Sequence, residues 1–80
     1  MRPEGELLER IVVDPAVLTG KPTVRGLRLT VDQIIRSLAA GLAREELLAD
    51  YPDLEPEDIQ ACLLYAARLV EEERVYPITT

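Results

Sequence analysis

The fold of this chain is decided by residues 30–41, which read TVDQIIRSLAAG. Thr30 is a good helix N-cap, and Gln33 three residues later completes a capping box. Apolar residues then recur at helical spacing, namely Val31, Ile34, Ile35, Leu38 and Ala39. Gly41 can adopt the left-handed conformation that commonly follows the last helical turn. The stretch therefore predicts an amphipathic helix that starts after Thr30 and ends at Gly41.

A second, shorter helix is predicted over residues 44–50. The residue at its cap position, Ala43, has no side chain that can accept a hydrogen bond, so the start of this helix should fray. Residues 51–54 read YPDL and predict a turn, because Pro52 forbids helical continuation.

The third helix is predicted to begin near Glu55, with Pro56 at the first helical position, and to run to about Glu73. Its apolar stripe has a sustained helical period and consists of Ile59, Cys62, Leu63, Ala66, Ala67, Leu69 and Val70. Three helices with short connections form a helix-turn-helix outline.

Residues 1–29 predict an irregular N-terminal arm. Residues 6–10 are consistent with either a helical turn or a disordered lead-in, and residues 11–29 predict two or three short strands around a tight turn at Gly26. Strands this short are not stable alone, so they must either pack on the helices or pair with another chain. Since the sequence offers them no obvious internal sheet, we expect an unpaired edge that recruits a second copy, and hence a homodimer.

The sequence thus predicts a single, mainly α domain over residues 1–80. It comprises the arm (1–29), a three-helix core (30–73) and a tail (74–80). No apolar run is long enough for a membrane span, and the N-terminus lacks a signal core, so we expect a cytoplasmic protein that does not contact membranes.

The composition argues against an enzyme. The 80 residues include no His, which removes the usual general base and the usual metal ligand. Cys62 is the only cysteine and falls on an apolar helix face, so we interpret it as a core residue. We therefore expect no catalytic residues, no metal and no cofactor.

The charge is distributed unevenly, although the net charge is −6. Residues 21–44 carry five basic side chains against one acid, and residues 45–80 carry two against ten.

The candidate contact for an anionic partner is the basic, turn-rich part of the arm: Gly20, Lys21, Pro22, Arg25, Gly26 and Arg28. The alternative is that its Gly and Pro residues only shape turns, while its arginines pair with acids of the last helix. Candidate nucleic-acid contacts are Lys21, Arg25, Arg28, Arg36 and Arg44.

The third helix occupies the position of a DNA recognition helix but has the wrong charge. Its N-terminal end carries Glu55, Glu57 and Asp58, and Gln60 is the one residue suited to reading a base. We therefore expect any DNA binding to come from the basic residues. The acids near this end, from Asp50 to Asp58, are interpreted as a solvated helix-capping cluster rather than a cation site.

Several stretches carry a family resemblance. The most specific are GKPTVRG at residues 20–26 and DYPDL at residues 50–54. With IVVDP (11–15), LTV (29–31) and LAAG (38–41), they make residues 10–70 resemble the bacterial and archaeal domain-of-unknown-function family 433. The family usually has Thr where this chain has Leu27, and Ser where it has Ala43.

The resemblance implies a homeodomain-like helix-turn-helix core. It also implies an antitoxin of the VapB type, encoded beside a PIN-like nuclease toxin that would be its partner. Two functional hypotheses follow. The first is an antitoxin that inhibits the nuclease and contributes to repression of its own operon. The second is a stand-alone helix-turn-helix regulator that binds operator DNA.

Overall fold

A computed structural model describes residues 4–16 and 20–73 of the chain. Within these residues the secondary-structure elements, in chain order, are α1 (Glu4–Leu8), β1 (Ile11–Val12), β2 (Thr23–Val24), α2 (Val31–Ala39), α3 (Arg44–Asp50) and α4 (Pro56–Glu73). The prediction of a mainly α fold with a short β-containing arm is confirmed. The predicted tail (74–80) and residues 1–3 and 17–19 of the predicted arm lie outside the described residues.

Helix α2 begins and ends where its capping residues predict. The Gln33 N–H donates to Thr30 Oγ1 at 3.0 Å, and the Thr30 N–H donates to Gln33 Oε1 at 2.9 Å, so both halves of the capping box form. At the other end Gly41 has φ +98°. The Leu42 N–H then reaches back to the Ser37 carbonyl at 3.0 Å, which is the long hydrogen bond of a Schellman motif.

Helix α3 starts at the predicted residue despite its weak cap. Ala43 contributes no side-chain acceptor, but Glu46 Oε1 accepts a hydrogen bond from the Ala43 N–H at 3.0 Å. One half of a capping box is thus present, which reduces the fraying expected from Ala43 alone. The following turn closes through the Leu54 N–H and the Tyr51 carbonyl at 2.9 Å, and the Leu54 side chain is buried.

The hydrophobic core joins the arm to the helices. Its fully or largely buried members are Val24, Leu29, Val31, Ile34, Leu47, Leu54, Ile59 and Cys62. The arm supplies two of them, on either side of its turn, and the rest come from α2, α3, α4 and the α3–α4 turn. The arm is therefore part of the core rather than an appendage to it.

The segment before β1 is a helix, which decides between the two alternatives for residues 6–10. Helix α1 packs along α4, and its Glu4 carboxylate forms an ion pair with Arg68 of α4. The helical core therefore has a fourth member that the three-helix prediction lacked.

The predicted apolar stripe of α4 is only partly buried. Ile59 and Cys62 are fully buried, but Leu63, Leu69 and Val70 remain 46%, 40% and 61% exposed, and Ala67 is also exposed. Helix α4 has 18 residues and α2 has nine. At 1.5 Å per residue their lengths are about 27 Å and 14 Å, so α2 cannot cover the full length of α4.

The short strands find partners within the chain. β1 and β2 pair antiparallel, with Ile11 opposite Val24. On the other side of β2, the Val24 N–H donates to the Leu29 carbonyl at 3.0 Å, and Thr23 forms an antiparallel bridge with Thr30. The expectation that these strands lack an internal sheet is therefore wrong. The homodimer inferred from it stays a prediction, which light scattering can check.

Arg10 connects the arm to the start of α4. Its Nη1 lies 2.7 Å from Glu55 Oε1 and 3.0 Å from Asp58 Oδ1. Asp58 Oδ2 also accepts the Glu55 N–H at 2.8 Å, which caps the helix. The Asp58 side chain is 7% exposed. The hydrogen bonds that Arg10 donates to Glu55 and, second, to Asp58 raise the pKa of Arg10 above its usual value, so the guanidinium stays charged.

Replacing Asp58 by Ala should lower the free energy of unfolding by about 2–3 kcal/mol. The substitution removes the helix cap and leaves a partly buried guanidinium with a single acceptor. Urea denaturation measures the change, and Glu55→Ala is the control. Because the Glu55 side chain is 63% exposed, its loss should cost about 1 kcal/mol or less. Equal costs for the two variants would contradict this account of Asp58.

Cys62 should be unreactive in the folded protein. Burial, helped by the nearby charge of Asp58, raises the pKa of its thiol from 9.0 to about 12. At pH 8 the folded chain should therefore react with a thiol reagent roughly a thousandfold more slowly than the urea-unfolded chain. Since the folded pKa is the higher one, the thiol favours folding below pH 9, and this contribution is lost as the pH rises from 9 towards 12. Equal labelling rates with and without urea would contradict the prediction.

Candidate partner-binding surface

The tip of the arm is a tight turn with a fixed backbone. The Leu27 N–H donates to the Val24 carbonyl at 3.0 Å, which closes a four-residue turn. Gly26, its third residue, has φ +81°, as type II turns require. The second residue, Arg25, is held by its own N–H, which donates to the Arg10 carbonyl at 2.7 Å. We call Arg25–Arg28 the basic tip.

Both arginines of the basic tip are exposed and make no ion pair with any described residue. The alternative in which the arm arginines pair with acids of the last helix therefore does not describe Arg25 and Arg28. It describes another arginine of the arm, Arg10, which pairs with Glu55 and Asp58. Arg36 is less available, since its Nε lies 3.0 Å from both carboxylate oxygens of Asp32. Arg44 is exposed at the start of α3 and, within the described residues, is also without an ion pair.

The six residues predicted to contact a partner do not form one site. Arg25, Gly26 and Arg28 share a shallow hollow of about 360 Å³ with Val12 and Asp14. Lys21 and Pro22 instead border a separate groove of about 300 Å³ between α2 and α4, whose other walls include Ile35, Tyr65 and Leu69. Gly20, the residue before Lys21, has φ +80° and lines neither the hollow nor the groove. The basic tip is therefore the most concentrated part of the predicted site.

A third depression, separate from the hollow and the groove, is a cleft between the basic tip and the turn that joins α3 to α4. It has a volume of about 260 Å³ and is lined by Leu27, Arg28 and Leu29 on one side and by Asp50, Tyr51, Pro52 and Asp53 on the other. We call it the tip–turn cleft. Residues of the specific stretch 50–54 thus lie opposite residues 27–29, which directly follow the other specific stretch, 20–26.

The acids near α4 have different roles. Asp58 forms one half of a capping box, as the interpretation of a capping cluster predicts, but its side chain is buried rather than solvated. Asp50 and Asp53 do not cap it, and neither carboxylate makes a hydrogen bond or ion pair with another described residue. Sequence reasoning missed their place opposite Arg28, because that proximity depends on how the arm packs against the turn.

The start of α4 is packed against the arm. Glu55 and Asp58, two of the three acids at this end, both bind Arg10. Gln60, the remaining candidate for reading a base, is exposed. Among residues 4–16 and 20–73, no cluster of acids or Cys62 has the arrangement of a metal site, and no helix has the length and apolar character that crossing a membrane requires.

Three comparisons relate the chain to known proteins. Residues 11–66 match the sequence model of DUF433, described as a protein of unknown function. The uncharacterized protein y4eO of Sinorhizobium fredii is 38% identical over 58 residues, which cover 72% of this chain but only 26% of that protein. The crystal structure of a DUF433 member from Anabaena variabilis aligns with a TM-score of 0.75 and 31% identity, and the alignment covers 85% of this chain and 67% of that one.

Replacing Gly26 by Ala should lower the free energy of unfolding by about 1–2 kcal/mol, because a residue with a Cβ is strained at φ +81°. Gly5→Ala in α1 is the matched control. An added Cβ would meet no atom within 4 Å at either position, so steric contact does not distinguish the two variants. The control should be neutral or slightly stabilising, since Ala favours helix. Thermal melts that show no difference between the variants would contradict the assigned turn.

Proposed function

This chain belongs to the DUF433 family of proteins of unknown function, and we propose that it acts as an antitoxin: a binding protein that inhibits a PIN-like nuclease. The basic tip is the contact, with Arg25 and Arg28 as the main contributors. The nuclease is implied by the family resemblance, and the exposure of both arginines supports the choice of the basic tip as the contact. In this proposal the chain acts by binding and performs no catalysis of its own.

One observation carries the proposal: two exposed arginines, one in a fixed turn and one directly after it, have no carboxylate partner among the described residues. An arginine presents a planar set of donors that matches a carboxylate with two parallel hydrogen bonds. A nuclease that binds metal ions through clustered carboxylates offers such acceptors. An arginine inserted among them would compete with the metal or with the substrate phosphate.

The surroundings of the tip favour a protein partner over DNA. Asp50 and Asp53 line the cleft beside Arg28, and Asp14 lines the hollow beside Arg25. The phosphates of DNA form a uniformly negative surface, which these three acids would repel. A protein surface can carry both signs of charge and therefore match the tip and its acidic surroundings together.

The ion pairs of Arg10 also argue against α4 as a DNA-reading helix. They hold Glu55 and Asp58, at the start of α4, against the arm. A stand-alone helix-turn-helix regulator is therefore the weaker alternative. In the antitoxin proposal, any contribution to repression of the operon would come from the exposed, unpaired residues Arg25, Arg28 and Arg44 in a complex that contains more than one copy of the chain.

Replacing Arg25 or Arg28 by Ala should weaken binding to the nuclease at least about tenfold. Truncating one side of a desolvated interfacial charge pair costs about 2–5 kcal/mol, and about 1.4 kcal/mol corresponds to a factor of ten. The measurement is calorimetric titration of the purified neighbouring gene product, together with its inhibition in an RNA-cleavage assay.

Two variants serve as controls. Arg36→Ala removes an exposed arginine that already pairs with Asp32, and Gln60→Ala alters the exposed face of α4. Both should leave binding within about twofold, since neither residue lies at the tip. The proposal fails if the tip variants inhibit the nuclease as well as the unmodified chain does. Sequence-specific DNA binding that Gln60→Ala abolishes would favour the regulator instead.

A further inference from the structure

We propose that the tip–turn cleft accepts a single basic side chain of the protein partner, an arginine or a lysine. Asp50 and Asp53 would bind its charged end, while Arg28 on the opposite wall would pair with a neighbouring acid of the partner. The inference rests on the proposed function in that the partner is a protein. It extends that function by stating which charges the partner must present.

The size of the cleft suits one side chain. Its volume of about 260 Å³ lies below the range of about 300–1,000 Å³ that is typical of small-molecule pockets. Leu27, Leu29 and Pro52 give it apolar walls, and Tyr51, a residue that is 42% exposed, also lines it. Long basic side chains bury their methylene stems against such surfaces and keep the charged end at the rim.

The charges on the two walls determine what can bind. Asp50 and Asp53 make no ion pair with a described residue, and Arg28, on the other wall, makes none either. The opposite charges thus line one cleft without neutralising each other through a direct contact. A cation beside the aspartates would gain from both carboxylates and from the face of Tyr51. Arg28 would offset part of that gain, and an acid of the partner that pairs with Arg28 would restore it.

This arrangement confers specificity. A partner that presents a base beside an acid, in the right order, satisfies both walls. A partner surface with only acidic groups would be repelled by Asp50 and Asp53. One with only basic groups would be repelled by Arg28. The cleft therefore selects among acidic proteins that the basic tip alone would not distinguish.

The test uses N-acetyl-argininamide as the probe, titrated into the isotope-labelled full chain and followed by amide chemical shifts. We expect saturable shifts confined to residues 27–29 and 50–53, with a dissociation constant of about 1–10 mM, the range suited to one side chain. The uncharged N-acetyl-norleucinamide should shift the same residues at least about fivefold more weakly. Absence of saturable shifts at the cleft, or equal binding of the two probes, would overturn the inference.

The variant Asp50→Asn with Asp53→Asn should weaken binding of the arginine probe at least about fivefold. Its matched control is Glu45→Gln with Glu72→Gln, which neutralises two exposed acids that do not line the cleft and should leave binding unchanged. Thermal melts verify that both double variants fold. Tyr51→Leu provides an independent check, because it keeps an apolar wall but removes the aromatic face, and it should weaken the probe about twofold or more. Equal effects of the aspartate variant and its control would overturn the inference.

Nuclease binding separates this inference from the proposed function. If Arg25→Ala lowers nuclease affinity while the aspartate variant leaves it unchanged, the antitoxin proposal stands and the cleft inference is overturned. If the nuclease does not bind the unmodified chain but the arginine probe binds in the cleft as described, the antitoxin proposal fails and the cleft's preference for a basic side chain is supported.

Discussion

The contact of Arg10 with the start of α4 is the interaction on which the placement of the arm depends. One guanidinium nitrogen binds Glu55 and Asp58, which lie 45 and 48 residues further along the chain. The Asp58 carboxylate also accepts the Glu55 N–H just before α4, so one side chain both stabilises the start of the helix and holds the arm. The Arg10 carbonyl in turn accepts the Arg25 N–H, which extends the connection to the basic tip. A single residue thus links the helix start, the strand pair and the exposed turn.

This linkage explains how a small chain can present a fixed site. Val24 and Leu29, on either side of the tip, belong to the main core, so the turn between them cannot move without disturbing packed side chains. Gly26 allows the reversal of direction that leaves Arg25 and Arg28 exposed. Little conformational entropy of the backbone is then lost when a partner binds, and the exposed charges contribute more of their interaction energy to affinity.

The helices could be predicted from sequence because their signals are local. Thr30, Gln33 and Gly41 specify the ends of α2 through hydrogen bonds within a few residues. Pro56 specifies the start of α4 locally as well, because its ring fixes a helical φ and it lacks the N–H that a first helical residue leaves unpaired. The burial of the α4 stripe could not be predicted equally well. Whether Val70 is covered depends on the length of a neighbouring helix, which the periodicity of α4 does not encode.

The candidate site was predictable in part for the same reason. Gly26 and the two arginines form a local signal, and they occupy the exposed turn that their sequence suggests. Lys21 is close to them in sequence, but it borders another groove, because the chain between them runs through the buried strand β2. Conversely, Asp53 is 25 positions from Arg28 and yet shares its cleft. Reasoning from sequence proximity therefore grouped Arg28 with the other basic residues of the arm. The fold instead places Arg28 in one cleft with Asp50 and Asp53. Because the acids oppose phosphate and favour a basic partner group, the packing of the arm against the α3–α4 turn changes the class of partner that the surface suits.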